Sequence, residues 1–122
     1  MERMGGVNQP TVVVDYAHTP DALQKVLEAV QGYKQLSVVF GCGGNRDQGK
    51  RSEMRCIAER YANRVIVTDD NPRNEAPEAI VEDIMRGCVN ARVEVIHDRA
   101  MAIEAAISQA KTGDYVVIAG KG

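Results

Sequence analysis

The stretch Leu36-Ser-Val-Val-Phe-Gly-Cys-Gly-Gly-Asn-Arg-Asp-Gln-Gly-Lys-Arg51 joins an apolar pentapeptide to a glycine-rich loop. Leu36–Phe40 is short and apolar except at Ser37, which is typical of a strand buried on both faces. The segment after the loop carries apolar residues at helical spacing, namely Met54, Ile57, Ala58 and Tyr61. We therefore predict a strand, a glycine turn and a helix in this order.

The same alternation recurs along the chain. The predicted strands are Thr11–Asp15, Leu36–Phe40, Val65–Thr68, Val93–Ile96 and Tyr115–Ala119. Four segments with helical spacing of apolar residues separate them, and Thr19-Pro20-Asp21 and Asp98 are suited to begin two of these helices. This pattern predicts a doubly wound, Rossmann-like α/β domain, with a mainly parallel sheet of about five strands and helices on both faces. We expect this domain at 10–122, and the end of an interdomain linker at 1–9.

Composition excludes several classes of protein. The 122 residues are 44% hydrophobic, enough for the core of one domain, and the formal net charge is -2. With no basic block, one Phe and no Trp, nucleic acid is not an expected partner. No apolar run approaches the roughly 20 residues that span a bilayer, and no signal peptide is evident, so we expect a cytoplasmic protein without a membrane partner.

The three cysteines are Cys42, Cys56 and Cys88. Their odd number, wide spacing and lack of a Cys-x-x-Cys pair argue against both a disulfide framework and a zinc site. We expect reduced thiols and no metal ligands.

The glycine-rich loop has two interpretations. From Gly44 it follows Gly-x-x-x-x-Gly-Lys, the start of a phosphate-binding loop, but Arg51 replaces the Ser or Thr that would ligate Mg²⁺. Ser52 is one residue late, a rotation of about 100° on a helix. The pattern favours instead a glycine turn at a helix N-terminus that displays Arg46, Lys50 and Arg51 to a carboxylate or a phosphate. A solvated basic loop is the alternative.

A second loop, Asp69-Asp70-Asn71-Pro72-Arg73, combines both charges in five residues. Arg73 offers a bidentate fork for a carboxylate, while Asp70 and Asn71 offer oxygens that accept hydrogen bonds from an ammonium group. Together they suit a zwitterion such as an amino acid. The alternative is an Asx-turn in which Asp70 or Asn71 bonds its own backbone and Arg73 is its ion-pair partner.

Other polar residues follow the predicted strands, where ligands bind in parallel sheets. Asp15 ends the first strand and suits ribose hydroxyls. His18 could bind phosphate, act as a base, or serve as a hydrogen-bonded loop residue. For His97 we favour a structural role.

A phosphoacceptor receiver domain has the same size and alternation, and it requires acids and a lysine in the order of Asp15, Asp69, Asp70 and Lys121. Such a domain needs an acidic pair where this chain has Asp15-Tyr16, and its Lys is normally followed by Pro, not by Gly122. It also leaves the long glycine loop unexplained, so we disfavour it.

Four motifs together resemble the C-terminal domain of the Mur ligase family, in the branch of the UDP-N-acetylmuramoyl-L-alanyl-D-glutamate:2,6-diaminopimelate ligases. They cover the chain in order, and they are Asp15-Tyr-Ala-His-Thr-Pro-Asp-Ala-Leu23, Val39-Phe-Gly-Cys-Gly-Gly-Asn-Arg-Asp47 with Gly49-Lys-Arg51, Thr68-Asp-Asp-Asn-Pro-Arg73, and Ala119-Gly-Lys-Gly122.

The resemblance implies an ATP-dependent peptide ligase of peptidoglycan precursor synthesis, and thereby a role in cell shape and division. In this family ATP phosphorylates the side-chain carboxylate of D-Glu, and the amine of the incoming amino acid attacks the acyl phosphate. The UDP-N-acetylmuramoyl dipeptide is held by other domains, and ATP and Mg²⁺ are bound mainly by a central domain. The C-terminal domain closes over ATP and delivers the amino acid.

The resemblance also implies roles for individual residues. Arg46 matches an Arg that contacts a carboxylate of meso-diaminopimelate, and Asp70-Asn71-Pro72-Arg73 matches the motif associated with this amino acid as opposed to L-lysine. Gly120 matches a backbone contact to the same ligand. Asp15 and His18 match positions on the nucleotide side, with Asp15 toward the ribose.

The chain departs from the family pattern after Gly122, where His-Glu and the closing elements of the domain should follow. We therefore expect a truncated domain that is not catalytic alone and binds diaminopimelate weakly. A docking or regulatory module is the other function considered, and the sequence has no large apolar stripe that would favour it.

Overall fold

The computed structural model of this chain describes residues 2–4, 10–15, 19–30, 35–41, 49–69, 76–85 and 93–119, with the backbone alone at 2–4, 49–52, 77, 81, 83 and 85. The strands are β1 (Glu2–Met4), β2 (Thr11–Asp15), β3 (Leu36–Phe40), β4 (Arg64–Val67), β5 (Val93–Val95) and β6 (Tyr115–Ala119). The helices are α1 (Pro20–Ala29), α2 (Gly49–Tyr61), α3 (Pro77–Met85) and α4 (Arg99–Gln109).

The strands form one sheet in the order β1-β2-β6-β3-β4-β5. All neighbours are parallel except β1, which runs antiparallel to β2 at the edge. The prediction of a doubly wound, mainly parallel α/β sheet is confirmed, and the predicted strands differ from the observed ones only at the ends of β4 and β5.

β1 was not predicted. Its three residues are too few to show an alternating pattern, and it exists because the outer edge of β2 offers hydrogen bonds, with Glu2 opposite Val14 and Met4 opposite Val12. It lies within residues 1–9, whose assignment as the end of a linker stays a prediction.

The direction of each crossover explains which face each helix covers. β3, β4 and β5 follow β2 in the chain, and each lies further from β2 in the same direction across the sheet. Right-handed crossovers therefore place the connecting helices α1, α2 and α3 on one face. The connection from β5 to β6 returns in the opposite direction and places α4 on the other face. Two apolar clusters follow. The larger holds Leu23, Leu27, Met54, Ile80 and Ile84 against Val38 and Val117, and the smaller holds Ala102 and Ala106 against Val39, Ile66 and Val116.

β6 is buried at all five positions because it lies between β2 and β3 under helices on both faces. This explains its continuous apolar run, since a strand exposed on one face would alternate apolar and polar residues.

Two helix starts are capped as predicted. The Thr19 side chain accepts a hydrogen bond from the Ala22 N–H at 3.2 Å, and Asp98 Oδ1 accepts one from the Met101 N–H at 3.0 Å. The Asp98 cap fixes the start of α4 directly after β5, at the edge of the sheet where the strands end.

The expectation of reduced thiols is wrong for Cys56, which is disulfide-bonded. Cys42 and Cys88 lie outside the described residues. The spacing of cysteines gives their separation along the chain. A disulfide requires that two cysteines be close in the folded protein, and the sequence pattern does not show this.

Within the described residues no helix has the length and apolar character needed to cross a membrane.

Candidate ligand-binding edge of the sheet

The carboxyl ends of the parallel strands meet at one edge of the sheet, which we call the carboxyl edge. Asp15 and Ala119 are partners in the register of β2 and β6, and Phe40 is the partner of Val67 in that of β3 and β4. The residues that directly precede 16–18, 42–48, 70–75 and 120–122 therefore all lie along this edge. These four segments contain most of the residues predicted to bind ligands.

The ends of β4 and β5 are joined at this edge by two hydrogen bonds to one carbonyl. The Asp69 N–H donates to the His97 carbonyl oxygen at 3.2 Å, and Thr68 Oγ1 donates to the same oxygen at 3.1 Å. Thr68 is only 1% exposed, so its hydroxyl needs a protein partner, and His97 provides it. The parallel pairing is thus extended beyond the last residues of both strands.

A side-chain contact completes this junction. His97 Nδ1 lies 2.7 Å from Asp69 Oδ1. Because a carboxylate only accepts hydrogen bonds, we assign the proton to Nδ1, which donates to Asp69. The two side chains remain 46% and 28% exposed, so they lie at the surface of the edge. The pair joins the ends of β4 and β5 through side chains as well as through the backbone.

Arg99 is a residue of this edge whose contacts the sequence did not reveal. It is the first residue of α4, and its Nη2 donates to the Ala119 carbonyl oxygen at 3.2 Å, at the end of β6. Its Nη1 is buried and has no hydrogen-bond partner in the described part of the protein. The signal that could have identified it is a cation in the first turn of a helix, where the helix dipole disfavours positive charge.

Only Asp15, of the predicted binding residues, is described. It is the last residue of β2, half-buried, and adjacent to Ala119 of the central strand. The others lie outside the described residues, and their roles stay predictions: His18, Arg46, Asp70, Asn71, Pro72, Arg73 and Gly120. The structure does locate the flanking residues of these segments, and Asp69 directly precedes Asp70.

Among the described residues no group of three or more His, Cys, Asp or Glu side chains comes together that could hold a metal ion.

The opposite edge of the sheet, which we call the amino edge, carries a cavity of about 380 Å³. Polar side chains dominate its lining, which includes Gln35, Ser37, Asn63, Arg64, Glu94, Gln109 and Asp114. Arg64 and Glu94 form an ion pair across it, with Nη2 2.7 Å and Nε 3.0 Å from Glu94 Oε1. Asp15, the predicted ligand-binding residue that the structure describes, does not line this cavity.

Comparison with known proteins gives consistent matches over the whole chain. The family described as Mur ligase, glutamate ligase domain, matches residues 1–122. A UDP-N-acetylmuramoyl-L-alanyl-D-glutamate--2,6-diaminopimelate ligase from Ectopseudomonas mendocina is 56% identical over 125 residues, which cover 100% of this chain and 26% of that protein. The ligase of the same name from Chromobacterium violaceum is 49% identical, with the same coverage.

A solved structure of a ligase of this name superposes with a TM-score of 0.92 at 49% identity, covering 100% of this chain and 26% of that one. The chain thus spans about a quarter of the length of these relatives.

Proposed function

This chain belongs to the family of Mur ligase glutamate ligase domains, and we propose that it delivers the amino acid in an ATP-dependent ligase. That ligase would add meso-diaminopimelate to UDP-N-acetylmuramoyl-L-alanyl-D-glutamate during peptidoglycan precursor synthesis in the bacterial cytoplasm. The observation that carries the proposal is the identity of 49–56%, over the whole chain, to ligases of that name.

The proposed reaction has two steps. The γ-phosphoryl group of ATP is transferred to the side-chain carboxylate of D-Glu, which gives an acyl phosphate and ADP. The neutral amine of diaminopimelate then attacks the acyl carbon, the C–O bond to phosphate breaks, and an amide, inorganic phosphate and a proton are released. The contribution of this chain is to bind and orient the amine, because a well-placed nucleophile avoids much of the entropic cost of a reaction between two molecules.

The charge pattern of diaminopimelate fits the predicted loop residues. Arg46 and Arg73 offer guanidinium forks that can each bind a carboxylate, and Asp70 and the amide oxygen of Asn71 can accept hydrogen bonds from an ammonium group. Pro72 limits the conformations of this loop, and Gly120 allows close approach of the backbone. In this proposal the ligand lies at the carboxyl edge, between the end of β4 and the end of β6.

The nucleotide side of the site is proposed at the end of β2. Asp15 would accept hydrogen bonds from ribose hydroxyls of ATP, and His18 follows it in the same loop. Mg²⁺ and the phosphates of ATP would be held mainly by the parts of the ligase outside this chain, which would also hold the UDP-N-acetylmuramoyl dipeptide. A nucleic-acid or membrane partner is not part of the proposal.

The test is the Arg73→Ala variant of the full-length ligase. Hydrogen bonds to charged groups contribute about 1.5–3 kcal/mol, so the KM for meso-diaminopimelate should rise by about 10- to 100-fold. The KM for ATP should stay within about twofold of wild type, because Arg73 would contact the amino acid alone. Steady-state kinetics with each substrate varied in turn would measure both constants.

Arg73→Lys is the matched variant. It keeps the charge but loses the bidentate fork, so it should fall between wild type and Arg73→Ala. An unchanged KM for diaminopimelate in Arg73→Ala, or an equal rise in both KM values, would contradict the assignment.

A further inference from the structure

We propose that Asp69 and His97 form a positioning pair, which sets the direction in which residues 70–73 leave β4 and thereby the affinity for the amino acid, without touching it. The inference rests on the proposed function, in which residues 70–73 bind that amino acid. It assigns a role to a hydrogen-bonded pair that the resemblance to known ligases does not cover.

The first support is the position of the pair, directly at the start of the loop. The backbone ladder between β4 and β5 ends with the Ile96 N–H donating to the Val67 carbonyl at 3.0 Å and the Asp69 N–H donating to the His97 carbonyl at 3.2 Å. The bond between His97 Nδ1 and Asp69 Oδ1, at 2.7 Å, is then the last described contact before Asp70. It fixes the side chain as well as the backbone of the residue from which the loop begins.

The second support is the weakness of β5 as an anchor by itself. β5 has three residues and lies at an edge of the sheet, and its residues Glu94 and Val95 are exposed. Few apolar contacts hold such a strand, so its end is expected to open more readily than the central strands. The side chains of Thr68, Asp69 and His97 supply the missing attachment where the strand ends.

The third support is the sequence of the segment, in which Pro72 stands between Asn71 and Arg73. Proline restricts its own φ and biases the preceding Asn71 toward extended conformations. Because these restrictions leave the backbone fewer ways to compensate, we expect a rotation at Asp69 to displace Arg73. Binding that depends on geometry loses affinity quickly when the guanidinium moves.

The chain contains a matched control for this pair. Arg64 and Glu94 join the same two strands, β4 and β5, at the amino edge, with Nη2 2.7 Å from Oε1. Removing that ion pair loosens the attachment of β5 without altering the start of residues 70–73. If His97 only attached β5 to β4, removing either pair would change the KM for diaminopimelate equally.

The experiment compares variants of the full-length ligase by steady-state kinetics. For His97→Ala we expect the KM for meso-diaminopimelate to rise about fivefold, the loss expected for one hydrogen bond, with the KM for ATP unchanged. Asp69→Ala should give the same rise, and the double variant should be no worse than either single one, because both remove a single interaction.

Two conservative variants make the test specific. His97→Asn places an amide N–H near the position of Nδ1 and should restore most of the affinity. Asp69→Asn keeps an oxygen that accepts the bond and should stay within about twofold of wild type. Arg64→Ala should leave the KM for diaminopimelate unchanged. Should His97→Ala fail to fold, the contrast between Asp69→Ala and Asp69→Asn decides the question.

The possible failures are distinguishable. If Arg73→Ala raises the KM for diaminopimelate and the Asp69 and His97 variants do not, the positioning pair is wrong and the proposed function stands. If His97→Ala and Arg64→Ala raise it equally, general loosening of β5 is the cause and the inference is overturned. If Arg73→Ala itself has no effect, the proposed function fails, and with it the basis of the inference.

Discussion

The two edges of the sheet differ in how their polar side chains are used. At the amino edge, Asn63 Oδ1 accepts from the Leu36 N–H at 2.9 Å, and Asp114 Oδ2 accepts from the Lys111 N–H at 2.8 Å. Both close a turn. At the carboxyl edge, Asp69 and His97 bond each other directly before a loop that carries predicted ligand-binding residues. A polar side chain at a strand end is thus a candidate for function when its hydrogen bonds are not used to stabilise the local backbone.

The first way to test this difference is to remove a turn-closing side chain from the amino edge. Asp114 is 6% exposed, and it stabilises a turn in which Gly113 has a φ of 91°, a value that favours glycine. Asp114→Ala should lower the free energy of unfolding of this chain by about 2 kcal/mol, since it leaves the Lys111 N–H without its partner. Urea denaturation followed by circular dichroism would measure the loss.

The same substitution in the full-length ligase should leave the KM for diaminopimelate unchanged. Asp114→Asn, which keeps an acceptor oxygen, serves as the control and should lose less stability than Asp114→Ala. A large rise in the KM for diaminopimelate with little loss of stability would contradict the proposal that Asp114 at the amino edge stabilises the fold and does not affect ligand binding.

A smaller effect is expected from Arg64→Ala at the amino edge. The side chains of Arg64 and Glu94 are 17% and 51% exposed, and ion pairs of this kind contribute about 0–1 kcal/mol. We therefore expect a loss of less than about 1 kcal/mol in the same denaturation experiment, decreasing as salt is added. A loss above that of Asp114→Ala would show that the edge strand depends on this pair far more than its exposure suggests.

The fold was largely predictable because its signals are local. Each buried strand is a short apolar run, as in Tyr115–Ala119, and each helix carries its own spacing, with Thr19 and Asp98 as caps. β1 could not be predicted, since three residues without alternation pair only because β2 presents a free edge. The Cys56 disulfide was missed for a related reason, because sequence spacing does not report distance in the fold.

The candidate site was predictable in its motifs but not in its contacts. The motifs predict that Arg46, Asp70, Asn71 and Arg73 bind the ligand, and this stays a prediction because these residues lie outside the described part of the chain. The topology places the residues that flank their loops at one edge. The contacts that organise this edge were not predictable, because Asp69 and His97 are 28 positions apart and meet only when β4 and β5 pair. The same holds for Arg99, whose partner Ala119 lies 20 positions away at the end of β6.

The most direct test of the central claim is a crystal structure of the full-length ligase with meso-diaminopimelate bound. We predict the ligand at the carboxyl edge, with its carboxylates on the guanidinium groups of Arg46 and Arg73 and with Asp69 still bonded to His97. Guanidinium groups of Arg46 and Arg73 directed into separate regions, too far apart to contact one ligand molecule, would contradict the account.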